Sequence, residues 1–347
     1  FGHGAYGAEA AARIYFGCSA RDLTPSQATL MAGLLQAPSL YDPFIDLAAA
    51  RERQRVVLAL MVESGTLTQE ESAAIWAARV EPASQPASPP RRAPHFVDWV
   101  LAELPERIGS EAVARGGFTV TTTIDHAYND RVLAIASGHV ARLRDRHDLT
   151  DAAVVAVRPG SGEIVAMVGG VDYAEPVAGQ VNVATSRRQI GSAFKPITYA
   201  AALEAGHTPA DVLWDIPLTF DQSDGRSYQP VNYDGRYRGA VRLRHALANS
   251  LNAASVGLLA DVGLDRVHRL AGEMGLELDP DPWTYGLSLT LGGAEVRLLD
   301  ATAAYATLAA GGLHAEPTGI LNVTRVRDGK TLYRLDPSPR AVLSPQT

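Results

Sequence analysis

Length, composition and charge exclude several classes of protein. The chain has 347 residues, 46% of them hydrophobic and 20% charged, which is ordinary for a globular protein long enough for two domains. The net charge of −7, with no long basic run, gives no reason to expect a nucleic-acid partner. Cys18 is the only cysteine and none of the nine histidines has metal-ligand spacing, so we predict no disulfide, no metal and no cofactor.

Residues 1–80 are predicted to be helical. Thr24, with Gln27 three residues later and Pro25 at the first helical position, is typical of a capping box. Apolar residues then recur at helical spacing. The predicted elements are helices over residues 8–15, 25–35, 47–64 and 69–79.

Residues 81–95 form a linker rich in proline, serine and alanine, which predicts a domain boundary. After it, the pattern mixes helices with short β-branched strands. The predicted helices cover residues 96–104, 128–143, 192–205, 241–260 and 300–309; the predicted strands lie at 118–124, 152–157, 163–168 and within 320–333. This order predicts an α+β domain over residues 96–347, with helices packed on an antiparallel sheet.

The stretch Gly191-Ser192-Ala193-Phe194-Lys195-Pro196 carries the first two candidate site residues. Ser192 and Lys195 are three residues apart and lie on one face of a helix. The chain has only two lysines among its 31 Lys and Arg residues, and a buried lysine can lose its proton whereas arginine cannot. The pair is therefore a hydroxyl nucleophile beside a possible base, although this stretch by itself equally fits an ordinary surface lysine.

Pro196 bears on the position of Ser192. Proline is tolerated in the first turn of a helix, so Ser192 is predicted to lie at the helix start. The free backbone N–H groups there can stabilise a developing oxyanion.

A second motif follows in Asn249-Ser250-Leu251-Asn252, predicted to lie within the helix over residues 241–260. Ser-x-x-Lys followed by Ser-x-Asn is typical of penicillin-binding proteins and serine β-lactamases. The sequence around both motifs resembles that of class A penicillin-binding proteins, and of their 1C-type branch in particular. The stretches that carry this resemblance are residues 191–196, 228–234, 239–241, 246–252 and 291–296.

The N-terminal part agrees with this resemblance. Residues 4–11, 15–17 and 36–43 are similar to the C-terminal end of the peptidoglycan glycosyltransferase domain of the same family. The resemblance implies that residues 1–80 are the helical remnant of a lysozyme-like glycosyltransferase domain. It also implies that residues 96–347 are a transpeptidase domain of the penicillin-binding and β-lactamase-like fold.

Acyl transfer is the chemistry that the resemblance implies. Ser192 is expected to attack the D-Ala-D-Ala carbonyl of a stem peptide, with neutral Lys195 accepting its proton. Ser250 is expected to relay a proton to the leaving or incoming nitrogen, and Asn252 to hold Lys195 and donate to the substrate amide. The alternatives without this role are a buried helix serine at position 250 and a polar cap at position 252.

The resemblance also implies partners and a location. The expected partners are peptidoglycan stem peptides, a lipid-linked precursor, and β-lactam antibiotics as covalent inhibitors. The expected location is the cell envelope, on the periplasmic face of the inner membrane. Because the chain starts without methionine and ends abruptly, we expect a fragment of a longer protein whose membrane anchor is absent here.

The third transpeptidase motif, Lys-Thr/Ser-Gly, is expected beyond Thr347. Lys330-Thr331-Leu332 resembles this motif but lacks the glycine. These residues are predicted to form a β-turn and the start of a strand. The fragment is therefore expected to be incomplete, and the catalytic glutamates of the glycosyltransferase are expected upstream of Phe1.

Two other readings share part of the chemistry. One is a D,D-carboxypeptidase or β-lactamase that passes the acyl group to water. The other is a β-lactam receptor that is acylated without turnover. Both are disfavoured by the glycosyltransferase-like segment.

Overall fold

The computed structural model of the chain describes residues 1–2, 5, 7–83, 92–175, 178–221 and 227–347. Residues 84–91, which make up most of the predicted linker, lie outside this part, as do Gly4 and Tyr6 of the glycosyltransferase-like stretch.

Helices account for most of the regular structure. The α-helices are α1 Ala8–Phe16, α2 Pro25–Leu34, α3 Leu47–Glu63, α4 Gln69–Ala77, α5 Pro94–Ile108, α6 Ser110–Arg115, α7 His126–His147, α8 Lys195–Glu204, α9 Leu243–Ala248, α10 Asn252–Val262, α11 Leu264–Glu273 and α12 Leu298–Ala309. Short 3₁₀ helices cover Ala20–Asp22, Gly191–Phe194, Pro282–Thr284 and Gly286–Leu291. None of the helices in the described ranges combines the length and the apolar character that a membrane crossing requires.

The strands are short and are grouped in several small sheets. They are β1 Phe118–Thr122, β2 Val154–Val157, β3 Ile164–Val168, β4 Arg187–Gln189, β5 Val212–Asp215, β6 Phe220–Asp221, β7 Ser227–Tyr228, β8 Gly239–Arg242, β9 Glu295–Arg297, β10 Leu313–His314, β11 Ile320–Arg325, β12 Thr331–Arg334 and β13 Arg340–Ala341. The order β1-β11-β12 makes one three-stranded sheet. Antiparallel pairs join β2 to β3, β4 to β9, β5 to β8, β6 to β7 and β10 to β13. The predicted hairpin over residues 152–168 is confirmed, as is the pairing of strands around Asp328-Gly329.

Two compact units make up the chain. Unit 1 consists of Phe1–Arg91, Glu103–Thr119 and Val323–Tyr333, and unit 2 of Arg92–Ala102, Val120–Asn322 and Arg334–Thr347. The backbone therefore enters each unit more than once.

Unit 1 has a helical core around the fully buried Tyr15. The predicted capping box is confirmed: the Thr24 side chain accepts from the Gln27 N–H, and the Gln27 side chain accepts from the Thr24 N–H. Gln54 of α3 is buried too, and its amide donates to the Ser26 carbonyl at 2.9 Å, which ties α3 to α2. A buried amide is tolerated here because its polar atoms have partners.

Unit 2 packs four helices around one apolar core. Buried residues of this core include Ile197 of α8, Leu259 of α10, Val267 of α11 and Ala304 of α12. Because α8 and α10 are fixed by this packing, the positions of their N-termini are fixed as well. Those two N-termini carry the candidate site residues.

The prediction of one continuous helix over residues 241–260 is wrong. Strand β8 ends at Arg242, α9 ends at Ala248 and α10 begins at Asn252. Between the helices Ser250 has φ 52°, in the left-handed region, which an α-helix cannot include. Apolar residues keep helical spacing on both sides of this break, which is why the sequence pattern conceals it.

The start of the predicted helix over residues 192–205 also differs. Gly191–Phe194 is a 3₁₀ helix, and α8 proper begins at Lys195. Ser192 therefore precedes the α-helix, although it remains next to its N-terminus.

A core substitution tests the packing of unit 2. We expect Leu259→Ala to lower the free energy of unfolding by about 2–5 kcal/mol, because truncating a fully buried leucine loses transfer energy and leaves a cavity. Urea denaturation followed by tryptophan fluorescence measures the change. The exposed Val212→Ala is the control, and equal losses in the two variants would contradict the assignment of the core.

Candidate active site

Ser192 is exposed at a turn whose neighbours are held by the core. Phe194 is fully buried beside it and anchors the 3₁₀ helix Gly191–Phe194. From the other side, the Tyr305 hydroxyl donates to the Ala193 carbonyl at 2.8 Å. The turn therefore presents the Ser192 side chain to solvent on a fixed backbone.

Gly292 accounts for part of the resemblance around residues 291–296. It has φ +77°, and a Cβ atom added there would collide with the backbone of Gly191. Two chain segments can approach this closely only where a side chain is missing. Glycine at position 292 therefore lets the 3₁₀ helix Gly286–Leu291 pack directly behind the serine turn.

Lys195 is buried, with 1% of its surface exposed. Its Nζ donates to the Ser250 carbonyl at 2.6 Å, to Ser250 Oγ at 2.9 Å and to Asn252 Oδ1 at 2.7 Å. Three acceptors match the three protons of an ammonium group. Three of the predicted site residues are thus in direct contact.

Burial lowers the pKa of Lys195 from 10.5 to about 8. The cause is desolvation, which penalises the charged amine. This direction agrees with the expectation that the lysine is a base, because it increases the fraction of neutral amine near neutral pH.

Ser192 shares a cavity with the second motif. The cavity has a volume of about 430 Å³ and is lined by Ser192, Asn232, Tyr233, Asp234, Arg238, Asn249, Ser250, Leu251 and Asn252. Within the described residues, the Ser192 hydroxyl has no hydrogen bond to Lys195, Ser250 or Asn252. A larger cavity of about 780 Å³ lies elsewhere in unit 2, so the polar groups, not the volume, single out this site.

The left-handed backbone of Ser250 explains how one residue supplies two acceptors to Lys195. Non-glycine residues adopt this conformation at an energetic cost of about 1–2 kcal/mol, and it is often found at functional sites. The break after α9 is closed by the Ser250 N–H, which donates to the Leu247 carbonyl at 2.9 Å. The loop Asn249–Leu251 is therefore an ordered turn.

Tyr199 connects α8 to this loop. The Ser255 hydroxyl donates to the Leu251 carbonyl at 2.6 Å, so the Tyr199 hydroxyl is the donor in its 3.0 Å contact with Ser255 Oγ. Burial is the main cause that raises the pKa of Tyr199 to about 12, which keeps it protonated. Tyr199 lies one turn after Lys195, so this chain of hydrogen bonds fixes the lysine helix against the loop.

Sequence reasoning gave no role to Asn232, although the residue stands in the stretch 228–234 quoted for the resemblance. Its Oδ1 accepts from the N–H groups of Asn252 at 2.7 Å and Ala253 at 3.3 Å. These are the first two residues of α10, whose N–H groups have no partner within the helix. Asn232 therefore caps α10 from a distant part of the chain, which no local pattern reveals.

Among the described residues, no group of three or more His, Cys, Asp and Glu side chains is arranged to hold a metal ion.

Two family models match the chain. Residues 1–62 match the transglycosylase model, and residues 152–326, a little over half of the chain, match the penicillin binding protein transpeptidase domain. The curated relatives include penicillin-binding protein 2D of Bacillus subtilis (strain 168), 33% identical over 341 residues, covering 96% of this chain and 48% of that protein. The chain spans about half the length of the curated relatives it matches.

Solved structures agree on the fold. Penicillin-binding protein 1A from Haemophilus influenzae superposes with a TM-score of 0.68 at 24% identity, over 97% of this chain and 63% of that chain. PonA1 from Mycobacterium tuberculosis, in complex with penicillin V, superposes with a TM-score of 0.61 at 27% identity, over 72% and 66% of the two chains. The predicted α+β fold is confirmed. With a transglycosylase match followed by a transpeptidase match that covers half of its length, the chain belongs to the class A penicillin-binding proteins.

Proposed function

We propose that this chain carries the acyl-transfer centre of a serine-type D-Ala-D-Ala transpeptidase, which cross-links the stem peptides of peptidoglycan. One observation carries the proposal: Ser250 and Asn252, which line the cavity that exposes Ser192, also hold the buried amine of Lys195. A buried, partly deprotonated lysine near a hydroxyl is the arrangement that activates a nucleophile.

In the acylation step Ser192 Oγ attacks the carbonyl carbon of the penultimate D-alanine. Neutral Lys195 accepts the hydroxyl proton as the C–O bond forms. The tetrahedral intermediate then loses the C–N bond, and free D-alanine leaves after its nitrogen receives a proton. The product is an ester between Ser192 and the stem peptide.

In deacylation the acyl group passes from Ser192 to an amine, and Ser192 becomes the leaving group. An amine of a neighbouring strand attacks the ester carbon, gives up a proton, and returns the Ser192 hydroxyl. Ser250 is suited to relay that proton because its Oγ already contacts the Lys195 amine at 2.9 Å. The net result is one amide broken and one amide formed, which needs no cofactor.

Asn252 has two tasks in this scheme. Its Oδ1 accepts from Lys195, and its Nδ2 donates to the Val231 carbonyl at 2.8 Å. A carboxamide nitrogen has two protons, so one remains for an oxygen of the substrate. Asn252 thereby orients both the base and the peptide to be cleaved.

The proposal extends to the whole protein. There, a glycosyltransferase would polymerise glycan strands from a lipid-linked precursor, and β-lactams would acylate Ser192 as substrate mimics. The relative in complex with penicillin V supports the second point. We place the protein in the cell envelope, on the periplasmic face of the inner membrane, with a membrane anchor outside residues 1–347.

Domain limits and subtype remain predictions. The proposed division is a glycosyltransferase segment over residues 1–80, a linker over 81–95 and a transpeptidase domain over 96–347. The 1C-type branch also stays a prediction. The transglycosylase match over residues 1–62 favours a bifunctional synthase over a carboxypeptidase, a β-lactamase or a β-lactam receptor.

Covalent labelling tests the nucleophile. We expect a fluorescent penicillin to form a stable adduct on Ser192 of the full-length protein, located by mass spectrometry of the tryptic peptide. Ser192→Ala should abolish the adduct because it removes the proposed nucleophile, whereas the Ser250 hydroxyl, which contacts Lys195, has the role of a proton relay. The exposed Ser338→Ala is the control and should label normally. An adduct on another residue, or none in active protein, would refute the assignment.

The pH dependence of acylation tests the base. Because burial lowers the pKa of Lys195 to about 8, the amine is roughly one-tenth neutral at pH 7 and mostly neutral above pH 9. The acylation rate should therefore rise with pH, with a midpoint near pH 8, and then level off. Stopped-flow labelling over this range gives the profile.

The second lysine provides the matched control for this profile. Lys330 is exposed and lies outside the site, so Lys330→Met should leave the midpoint unchanged, whereas Lys195→Met should remove both the rate and its pH dependence. A flat profile in the unmodified protein, or a midpoint near the ordinary lysine pKa, would exclude Lys195 as the base.

A further inference from the structure

A buried carboxylate lies behind the second motif. Asp215, the last residue of β5, has 0% of its surface exposed. Its nearest cationic contact is the guanidinium of Arg238 at 3.9 Å, and its close contacts are N–H donors. Burying a carboxylate is costly unless its oxygens accept hydrogen bonds. The donors that surround Asp215 therefore indicate which group this carboxylate serves to orient.

Asn232 makes two of the three close contacts of this carboxylate. Its Nδ2 lies 2.8 Å from Asp215 Oδ1 and 3.0 Å from Asp215 Oδ2. The same nitrogen also donates to the Arg236 carbonyl at 2.8 Å. The backbone N–H of Arg238 completes the environment of the carboxylate, donating to Oδ2 at 2.9 Å.

These contacts determine which way the carboxamide of Asn232 faces. An ionised carboxylate only accepts hydrogen bonds, so it selects the nitrogen side of the amide. The oxygen side must then face α10, where Oδ1 accepts from the N–H groups of Asn252 and Ala253. Both ends of the carboxamide are occupied, which leaves Asn232 no free proton for a substrate even though it lines the cavity.

Asn252 links this arrangement to the reacting groups. The residue whose N–H is held by Asn232 is also the residue whose Oδ1 accepts from Lys195 Nζ at 2.7 Å. A displacement of the α10 N-terminus would therefore move an acceptor of the lysine. Asp215 is thus connected to Lys195 through Asn232 and Asn252. Each hydrogen bond on this path is 3.0 Å or shorter.

We propose that Asp215 and Asn232 form a positioning pair, in which the buried carboxylate orients the carboxamide so that it holds the α10 N-terminus and the Asn252 acceptor of Lys195. Neither residue contacts the reacting atoms. The proposal rests on the proposed function, since it assigns the pair a purpose only if Lys195 serves Ser192.

Exchanging the two side chains tests this pair. Asn232→Asp puts two carboxylates in contact and should destroy the arrangement. The double variant Asp215→Asn/Asn232→Asp restores one amide facing one carboxylate, with the carboxylate now at α10. Asp211→Asn is the matched control, because Asp211 is a partly exposed carboxylate directly before β5 whose side chain contacts Thr208 and His207 instead.

Acylation of the full-length protein by a fluorescent penicillin is the first measurement. We expect Asn232→Asp to lower the limiting acylation rate by at least about tenfold, a coupling typical of groups in one network. The penicillin concentration for half-maximal rate should change less than about threefold, since neither residue has a free hydrogen-bond donor to offer the ligand. The double variant should recover part of the lost rate but not all of it, because the carboxylate at position 232 then faces the Arg236 carbonyl. Asp211→Asn should match the unmodified protein.

Hydrogen exchange of the Asn252 and Ala253 amides is the second measurement and does not depend on acylation. The near-isosteric Asp215→Asn should speed their exchange by at least about tenfold, because the carboxamide of Asn232 is no longer held in one orientation. Melting temperatures identify variants that fail to fold. Should Asn232→Asp be one of them, Asp215→Asn carries both measurements.

The outcomes separate the two proposals. Unmodified protein that is not labelled on Ser192 refutes the proposed function, and the exchange data then still judge the pair. Labelling on Ser192 with a normal rate in Asn232→Asp, no recovery in the double variant, or unchanged exchange in Asp215→Asn refutes the positioning role.

Discussion

The removal of one amine from water is the constraint on which the site depends. Lys195 is almost fully buried, and an ammonium group in that position needs an acceptor for each proton. Two residues provide all three acceptors: Ser250, within the break between α9 and α10, and Asn252, at the start of α10. The strained backbone of Ser250, the cap on α10 and the Tyr199 bridge all serve to keep those acceptors in place. The lowered pKa is the chemical result of the same burial.

Local sequence was sufficient to predict the parts of the fold that depend on local interactions. The capping box at Thr24 and the hairpin over residues 152–168 depend on neighbours within a few residues, and both are confirmed. The candidate site residues were also predicted, from the spacing within the two motifs and from the resemblance of the surrounding sequence to a known family. The structure brings Lys195, Ser250 and Asn252 into contact, while their catalytic roles remain proposals.

The rest of the site depends on contacts between residues far apart in the chain. The break at Ser250 was missed because the apolar periodicity of α9 continues into α10. Asn232 was missed as a cap because it lies twenty residues before the helix that it caps. The collision that requires glycine at position 292 involves Gly191, about a hundred residues earlier. Only packing, which brings these segments together, reveals such requirements.

One acceptor of the lysine is a main-chain atom, and this bears on how the protein can evolve. The Ser250 carbonyl oxygen is encoded by no particular side chain, so every replacement at position 250 that keeps the backbone conformation retains it. Glycine adopts the left-handed conformation most easily, and it is therefore the replacement that preserves the lysine anchor while deleting the hydroxyl. Anchoring of the lysine and the proposed proton relay are thus separable by mutation at a single codon, and selection can act on one without losing the other.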